Sequence, residues 1–203
     1  MIIFAERIKE WIGRHQMLAG AVIILGLAAG YFLSVYLRRP ADAWIYVSLV
    51  NEYHKLGKGS DLYDGFVRQQ GIQGQRVVFD NEYFFDLTNP KDEINPYFQK
   101  LVAYLEAGTT DALICEEDNL FHIAKGGRVL DLRDKRVAAL CRKYRDRFYC
   151  YESDDGRIPV GISLAGSRFL PELGYEKSVY LAFSCKAGHA GRVGRLLDYL
   201  LES

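Results

Sequence analysis

The chain has 203 residues, 49% of them apolar and 26% charged, and its 26 bases and 26 acids cancel to a formal net charge of zero. That balance excludes a disordered tail, which combines low hydrophobicity with high net charge. It excludes a nucleic-acid binder that works by bulk positive charge, and 19 glycines and five prolines without a period exclude a collagen-like fibre.

Residues 1–16 place Phe4, Ile8, Trp11 and Ile12 on one helical side, with Arg7, Lys9, Glu10 and Arg14 between them. This spacing predicts a short cytoplasmic or interfacial segment. Residues 17–37, MLAGAVIILGLAAGYFLSVYL, carry no charge. At 1.5 Å per residue such a helix spans about 30 Å, the hydrocarbon thickness of a bilayer. Trp11, Tyr31, Phe32, Tyr36 and Trp44 lie near its ends, as interfacial aromatics do. The run predicts an uncleaved single-pass transmembrane helix, followed by a linker over 38–42. Ala41-Asp42-Ala43 has the form of a cleavage site, but the run is too long for a signal-peptide core and Arg38-Arg39 intervene. Gly26-x-x-x-Gly30 lets two such helices approach closely. Arg7, Lys9 and Arg14 before the run nearly balance Arg38 and Arg39 after it, so charge alone leaves the orientation open.

Residues 43–203 suffice for one domain with a core. Ala43–Val50 reads as a strand, and Asn51–Ser60 as a polar loop. Asp61–Gln70 reads as a helix with Asp61 at its N-cap. Gln75–Asp80, extendable to Asp86, is a second strand. Asn95-Pro96 opens a helix with Phe98, Leu101, Val102 and Leu105 at helical spacing, ended by Gly108. Asp111–Cys115 is apolar without alternation, as a strand covered on both faces is. Glu116–Lys125 is a helix closed by Gly126-Gly127. Phe148–Ser153 and Ile158–Leu164 form a hairpin around Asp154–Arg157, Ser178–Ser184 is another strand, and Ala190–Leu201 is a last helix. The alternation predicts an α/β fold with a mixed, mostly parallel sheet flanked by helices.

From Asp111 onward, DALICEEDNLFHIAKGGRVLDLRD resembles a segment of bacterial extracellular solute-binding proteins. Asp111, Phe121, Ala124, Gly127, Leu130, Asp131 and Leu132 fill the positions of its pattern. The preceding YFQKLVAYLEAGTTD is similar to the helix that feeds that strand, and RIPVGISL to the strand by which the chain crosses back after the first lobe. The likeness runs roughly from Ala43 to Leu170. It implies a single periplasmic-binding-protein-like lobe, where complete members have two lobes, on a membrane helix in place of a lipid-attached cysteine. It also implies that the domain lies outside the cytoplasmic membrane, with the amino terminus inside.

Glu116, Glu117 and Asp118, with Asn119 beside them, follow a strand directly, where ligands bind in open α/β sheets; first-turn acids facing a helix dipole are the plainer reading. Asn81 and Tyr83 stand beside Phe84 and Phe85 in an aromatic group that is a binding surface if exposed and core if buried. Cys141 and Cys150 are close enough in sequence to pair, and Cys115 and Cys185 would be neighbours on parallel strands; four buried thiols are the alternative. Gly188-x-x-Gly191-x-x-Gly194, among Lys186, His189, Arg192 and Arg195, departs from the dinucleotide fingerprint and reads as a flexible helix start. His15, His54, His122 and His189 make no metal-binding pair, and no nucleophile elbow or paired catalytic set is present.

The expectation is therefore a non-catalytic, membrane-anchored extracytoplasmic binding or interaction module. No metal, cofactor or nucleic acid is expected. Its partners are the membrane through residues 17–37, a protein partner or a second copy, and a small solute. The alternative is a structural or regulatory subunit of a membrane complex without a small ligand. Charge divides accordingly: residues 1–39 hold five bases and two acids, net +3, and residues 40–203 hold 21 bases and 24 acids, net −3.

Overall fold

The computed structural model describes residues 43–154, 156–175 and 178–202, together with residues 20, 24–27 and 29–31 of the amino-terminal part. The chain falls into two units, Met1–Ala41 and Asp42–Ser203. Most of the expected membrane segment 17–37, and all of 1–16 and of the linker 38–42, lie outside the described residues. Among the described residues no helix is long and apolar enough to cross a membrane. Those described in the first unit are helical, and Ile24, Leu25 and Leu27 are each about 70% exposed.

The second unit is α/β. Its strands are β1 (Ile45–Val50), β2 (Val77–Tyr83), β3 (Ala112–Glu116), β4 (Phe148–Ser153), β5 (Gly156–Ser163) and β6 (Val179–Phe183). Its helices are α1 (Asp61–Gln70), α2 (Pro96–Glu106), α3 (Glu117–Lys125), α4 (Ala138–Cys141) and α5 (Ala190–Glu202). β1, IYVSLV, is buried at every position, as a strand covered on both faces must be. Its alternate side chains serve two cores. Ile45, Val47 and Leu49 join Leu62 and Phe66 of α1 and Val193, Leu196 and Leu197 of α5. On the other face the Tyr46 ring meets Tyr104 of α2, and Leu120 of α3 lies over Gly161 of β5.

The helix starts show why these boundaries hold. Ser60, not Asp61, caps α1: its side chain accepts from the Tyr63 amide, while Asp61 and Asp64 occupy the first turn, where acids suit the dipole. The next start is as expected, Asn95 capping α2 with Pro96 in the first turn. The β4–β5 hairpin pairs Ser153 with Gly156, so its turn is tighter than the Asp154–Arg157 connection predicted.

The sheet order is β2-β1-β3-β6-β5-β4. β1 pairs in parallel with β2 and β3, whereas β3–β6, β6–β5 and β5–β4 are antiparallel. The sheet is mixed but not mostly parallel. Strand composition does not report direction: SVYLAFS is as apolar as a parallel strand because α5 covers one of its faces and it lies between two neighbours.

That direction corrects the cysteine geometry. Cys115 stands opposite Tyr180, while Cys185 lies beyond Phe183, which stands opposite Ala112. At about 3.4 Å per residue the two are roughly 17 Å apart along the strands, far beyond disulfide reach. All four cysteines are free thiols. Burial pushes the Cys141 thiol up to about 12, and burial with the Glu116 charge pushes Cys115 up as well. In the native chain, Cys150 and Cys185 should react with a thiol reagent within minutes, and Cys115 and Cys141 only after unfolding, as mass spectrometry of the labelled protein will read.

Candidate functional site

The chain runs from β1 to β2 on one side of β1 and then from β2 to β3 on the other, with α1 and α2 on opposite faces. The order therefore reverses between β1 and β3, and a crevice opens beyond their carboxyl ends, the place where open α/β sheets bind ligands.

Backbone clamps build this crevice. Asn51, directly after β1, holds a left-handed conformation at φ 59°. There its side chain makes a reciprocal pair with Phe85: its Nδ2 donates to the Phe85 carbonyl at 2.9 Å and its Oδ1 accepts from the Phe85 amide at 3.0 Å. Asn119, buried in the first turn of α3, accepts from the Leu87 amide at 3.0 Å and donates to the same Phe85 carbonyl at 3.4 Å. Two asparagines thus fix the chain leaving β2. Across the crevice the Tyr175 hydroxyl lies 2.8 Å from the Val50 carbonyl and 3.1 Å from that of Ile114, a shared donation that seals the seam between β1 and β3. Burial, with Cys115, Glu52 and Glu116 nearby, holds that phenol well above its ordinary pKa.

The resulting cleft has a volume of about 610 Å³. Its walls are Asn51, Phe85, Gly174 and Tyr175, its aromatic rim is Tyr53 and Phe84, and its carboxylates are Asp86, Asp92 and Glu116. The Tyr53 and Phe84 rings lie 4.9 Å apart at a 32° tilt, and Phe84 meets Tyr97 edge-on at 6.0 Å. Tyr53 is 81% exposed and Tyr97 49%. Behind Gly174 stands Glu52, 1% exposed. Its Oε1 accepts from the His54 amide and lies 2.8 Å from His54 Nδ1, while its Oε2 has no partner among the described residues. Gly174 sits at φ 67°, and a Cβ there would come within 2.8 Å of Glu52 Oε1, so glycine is what this contact requires.

The residues singled out by sequence separate. Glu116 lines the cleft. Glu117 accepts from the Tyr180 hydroxyl at 3.2 Å, away from it, and Asp118 is exposed. Asn119 braces the wall. Asn81 donates to the carbonyls of Glu52 and His54 and borders a neighbouring cleft of about 660 Å³ with Lys55 and Lys58. Tyr83 is fully buried and donates to Asp80 at 2.8 Å, so it belongs to the core. Sequence reading missed Asn51, Tyr53, Tyr175 and the Glu52–His54 pair. An asparagine directly after a central strand is the one local signal that could have marked the crevice.

At the opposite end of the sheet, buried Asp111 accepts from the Tyr46 amide at 3.0 Å, and its own amide donates to the Tyr46 carbonyl at 2.9 Å. Its carboxylate also lies 3.1 Å from His189 Nδ1. The glycine-spaced segment opens α5 beside Trp44, whose ring carries the Arg192 guanidinium at 5.3 Å. Gly194 is buried against Leu140, where a Cβ would lie 3.3 Å from its methyls. Packing accounts for that glycine.

Among the described residues no group of three or more histidines, cysteines or acids is placed to hold a metal ion. Comparison with known protein families, curated proteins and solved structures finds no match to this chain.

Proposed function

We propose that the chain is a membrane-anchored binding module whose α/β domain takes a small polar solute in the cleft beyond β1, β2 and β3. One observation carries the reading: a crevice at the reversal point of the strand order, braced by Asn51, Asn119 and Tyr175 and edged by exposed aromatic rings. The clamps hold the walls in place before any ligand arrives, which lowers the ordering cost of binding.

The anchor is residues 17–37. Its uncharged length supports this. The resemblance to one lobe of an extracellular solute-binding protein supports a domain facing outward, with a partner protein or a second copy closing over the cleft.

The test is a thermal-shift screen of the full-length chain in detergent micelles against amines, sugars, amino acids and short peptides. Stabilisation by a solute, lost on Asn51→Ala, is the expected result. A uniformly flat screen removes the solute and leaves a subunit that works through protein contacts. Orientation is checked on intact cells: a Ser203→Cys variant should react with impermeant reagents at that position, and its protection would reverse the topology.

A further inference from the structure

We propose that the free edge of β2 takes a short acidic peptide of a partner protein as an added strand. This surface is separate from the solute cleft and does not depend on it. β2 is the outermost strand on its side of the sheet and pairs with β1 alone. The Tyr46 amide and carbonyl both bond to Asp111, on the β3 side, so the neighbouring Val47 turns its own backbone groups towards β2. The register sets Val47 opposite Phe79, and a parallel ladder then draws the backbone groups of Val78 and Asp80 inward. The Phe79 amide and carbonyl are left at the open edge, with the Val77 carbonyl beside them. Among the described residues nothing outside the sheet bonds to these three groups. Edge groups of this kind are a template for another strand.

Room for that strand is already present. The cleft of about 660 Å³ is bordered by every residue from Val78 to Glu82. Successive strand residues point to opposite faces, so a cleft that touches them all faces the edge of the strand. Its other wall is the loop from Lys55 to Ser60. The Asn81 side chain ties the approach of that loop to β2, donating to the Glu52 and His54 carbonyls at 3.3 and 3.1 Å. Beyond Asp80 the pairing with β1 slips, which limits the added strand to about four residues.

Charge selects the occupant. Lys55 and Lys58 are exposed and make no ion pair among the described residues. The two acids of the cleft are already held by other partners. Glu82 pairs with Lys100 of α2, and Asp80 accepts from the Tyr46 and Tyr83 hydroxyls with Lys100 Nζ 3.9 Å away. The cleft therefore offers lysine ammonium groups, and carboxylates on the incoming strand answer them. The start of α1, beside the loop, is closed to an outside anion: Glu172 accepts there from the Leu62 amide at 2.9 Å. A second copy of the chain would bring to this edge only the same lysines and the same committed acids.

The experiment is fluorescence anisotropy on the full-length chain in micelles with three labelled hexapeptides. They are Glu-Val-Glu-Val-Glu-Val, its counterpart with lysine in place of glutamate, and the acidic peptide methylated at every backbone nitrogen. The acidic peptide should bind at least tenfold more tightly than the basic one. The methylated peptide keeps its charges but loses its N–H donors, and should not bind. Lys55→Glu combined with Lys58→Glu, two changes at exposed positions, should weaken the acidic peptide at least tenfold. Lys125→Glu, at an exposed lysine outside the cleft, should leave it unchanged. Equal binding of the methylated peptide overturns strand addition. Equal binding of the basic peptide, or an affinity that survives the double change, overturns the acidic class. Absence of binding by the acidic peptide overturns the proposal outright. Sedimentation in the same micelles supplies the last outcome: a dimer that excess acidic peptide separates gives the edge to a second copy and overturns the partner peptide.

Discussion

Asp111→Ala should lower the unfolding free energy by about 3 kcal/mol, measured by urea denaturation. The carboxylate is 3% exposed and accepts from the Tyr46 amide inside the sheet, while the Asp111 amide and Tyr46 carbonyl complete a two-bond ring between the starts of β1 and β3. Alanine leaves the Tyr46 N–H buried without an acceptor, a loss of about 1–3 kcal/mol by itself. It also removes the anchor of His189, just ahead of α5, whose Val193, Leu196 and Leu197 complete the core. Asp111→Asn keeps a carbonyl oxygen for the Tyr46 amide and should cost about a third as much. A loss below about 0.5 kcal/mol for the alanine variant would show that water replaces the acceptor.

Gly161→Val should cost about 2–3 kcal/mol through overpacking. Gly161 lies in β5 opposite Tyr149, and a Cβ there would sit 2.6 Å from Leu120 Cδ2 and 3.2 Å from the Cβ of Tyr180. Leu120 is fully buried, so α3 must yield. Its neighbour Asn119 braces Phe85, so the strain reaches the cleft wall as well as the core. Leu120→Ala costs stability alone but should recover part of the loss in the Gly161→Val background, giving a favourable coupling of about 1 kcal/mol in a double-mutant cycle. Additive effects would mean that the added isopropyl group is accommodated elsewhere.

Much of the domain was legible because its signals are local. Asn95-Pro96 carries its own cap chemistry, and α2 starts where that pair predicts. DALIC reads as a doubly covered strand, and every residue of β3 but the last is buried. What failed is non-local. Whether β6 runs with or against β3 is decided by the segments that deliver it, and no residue of SVYLAFS records that choice. The cleft shows the same division. Glu116 was legible from its place at a strand end, whereas Asn51 became visible only with its φ and its partner Phe85, 34 residues away. Tyr83 fell on the other side: a tyrosine among aromatics is equally core or surface until its hydroxyl finds Asp80. The membrane segment rests on sequence alone.

The placement of β6 between β3 and β5 has a kinetic consequence. The central seam joins residues about 65 positions apart, as Cys115 and Tyr180 are, so closing it carries a large loop-entropy cost before any contact repays it. The β1–β3 seam spans the same separation, as Val47 and Ala112 show, but α1, β2 and α2 fill that interval, and once it closes β3 presents an open, apolar edge until β6 arrives. The interval between those events is when the chain is most prone to pair with another copy of itself. Slow steps in refolding should therefore trace to the two seams of β3, and losses to aggregation to the wait for β6, which variants that stabilise the β5–β6 pairing should shorten.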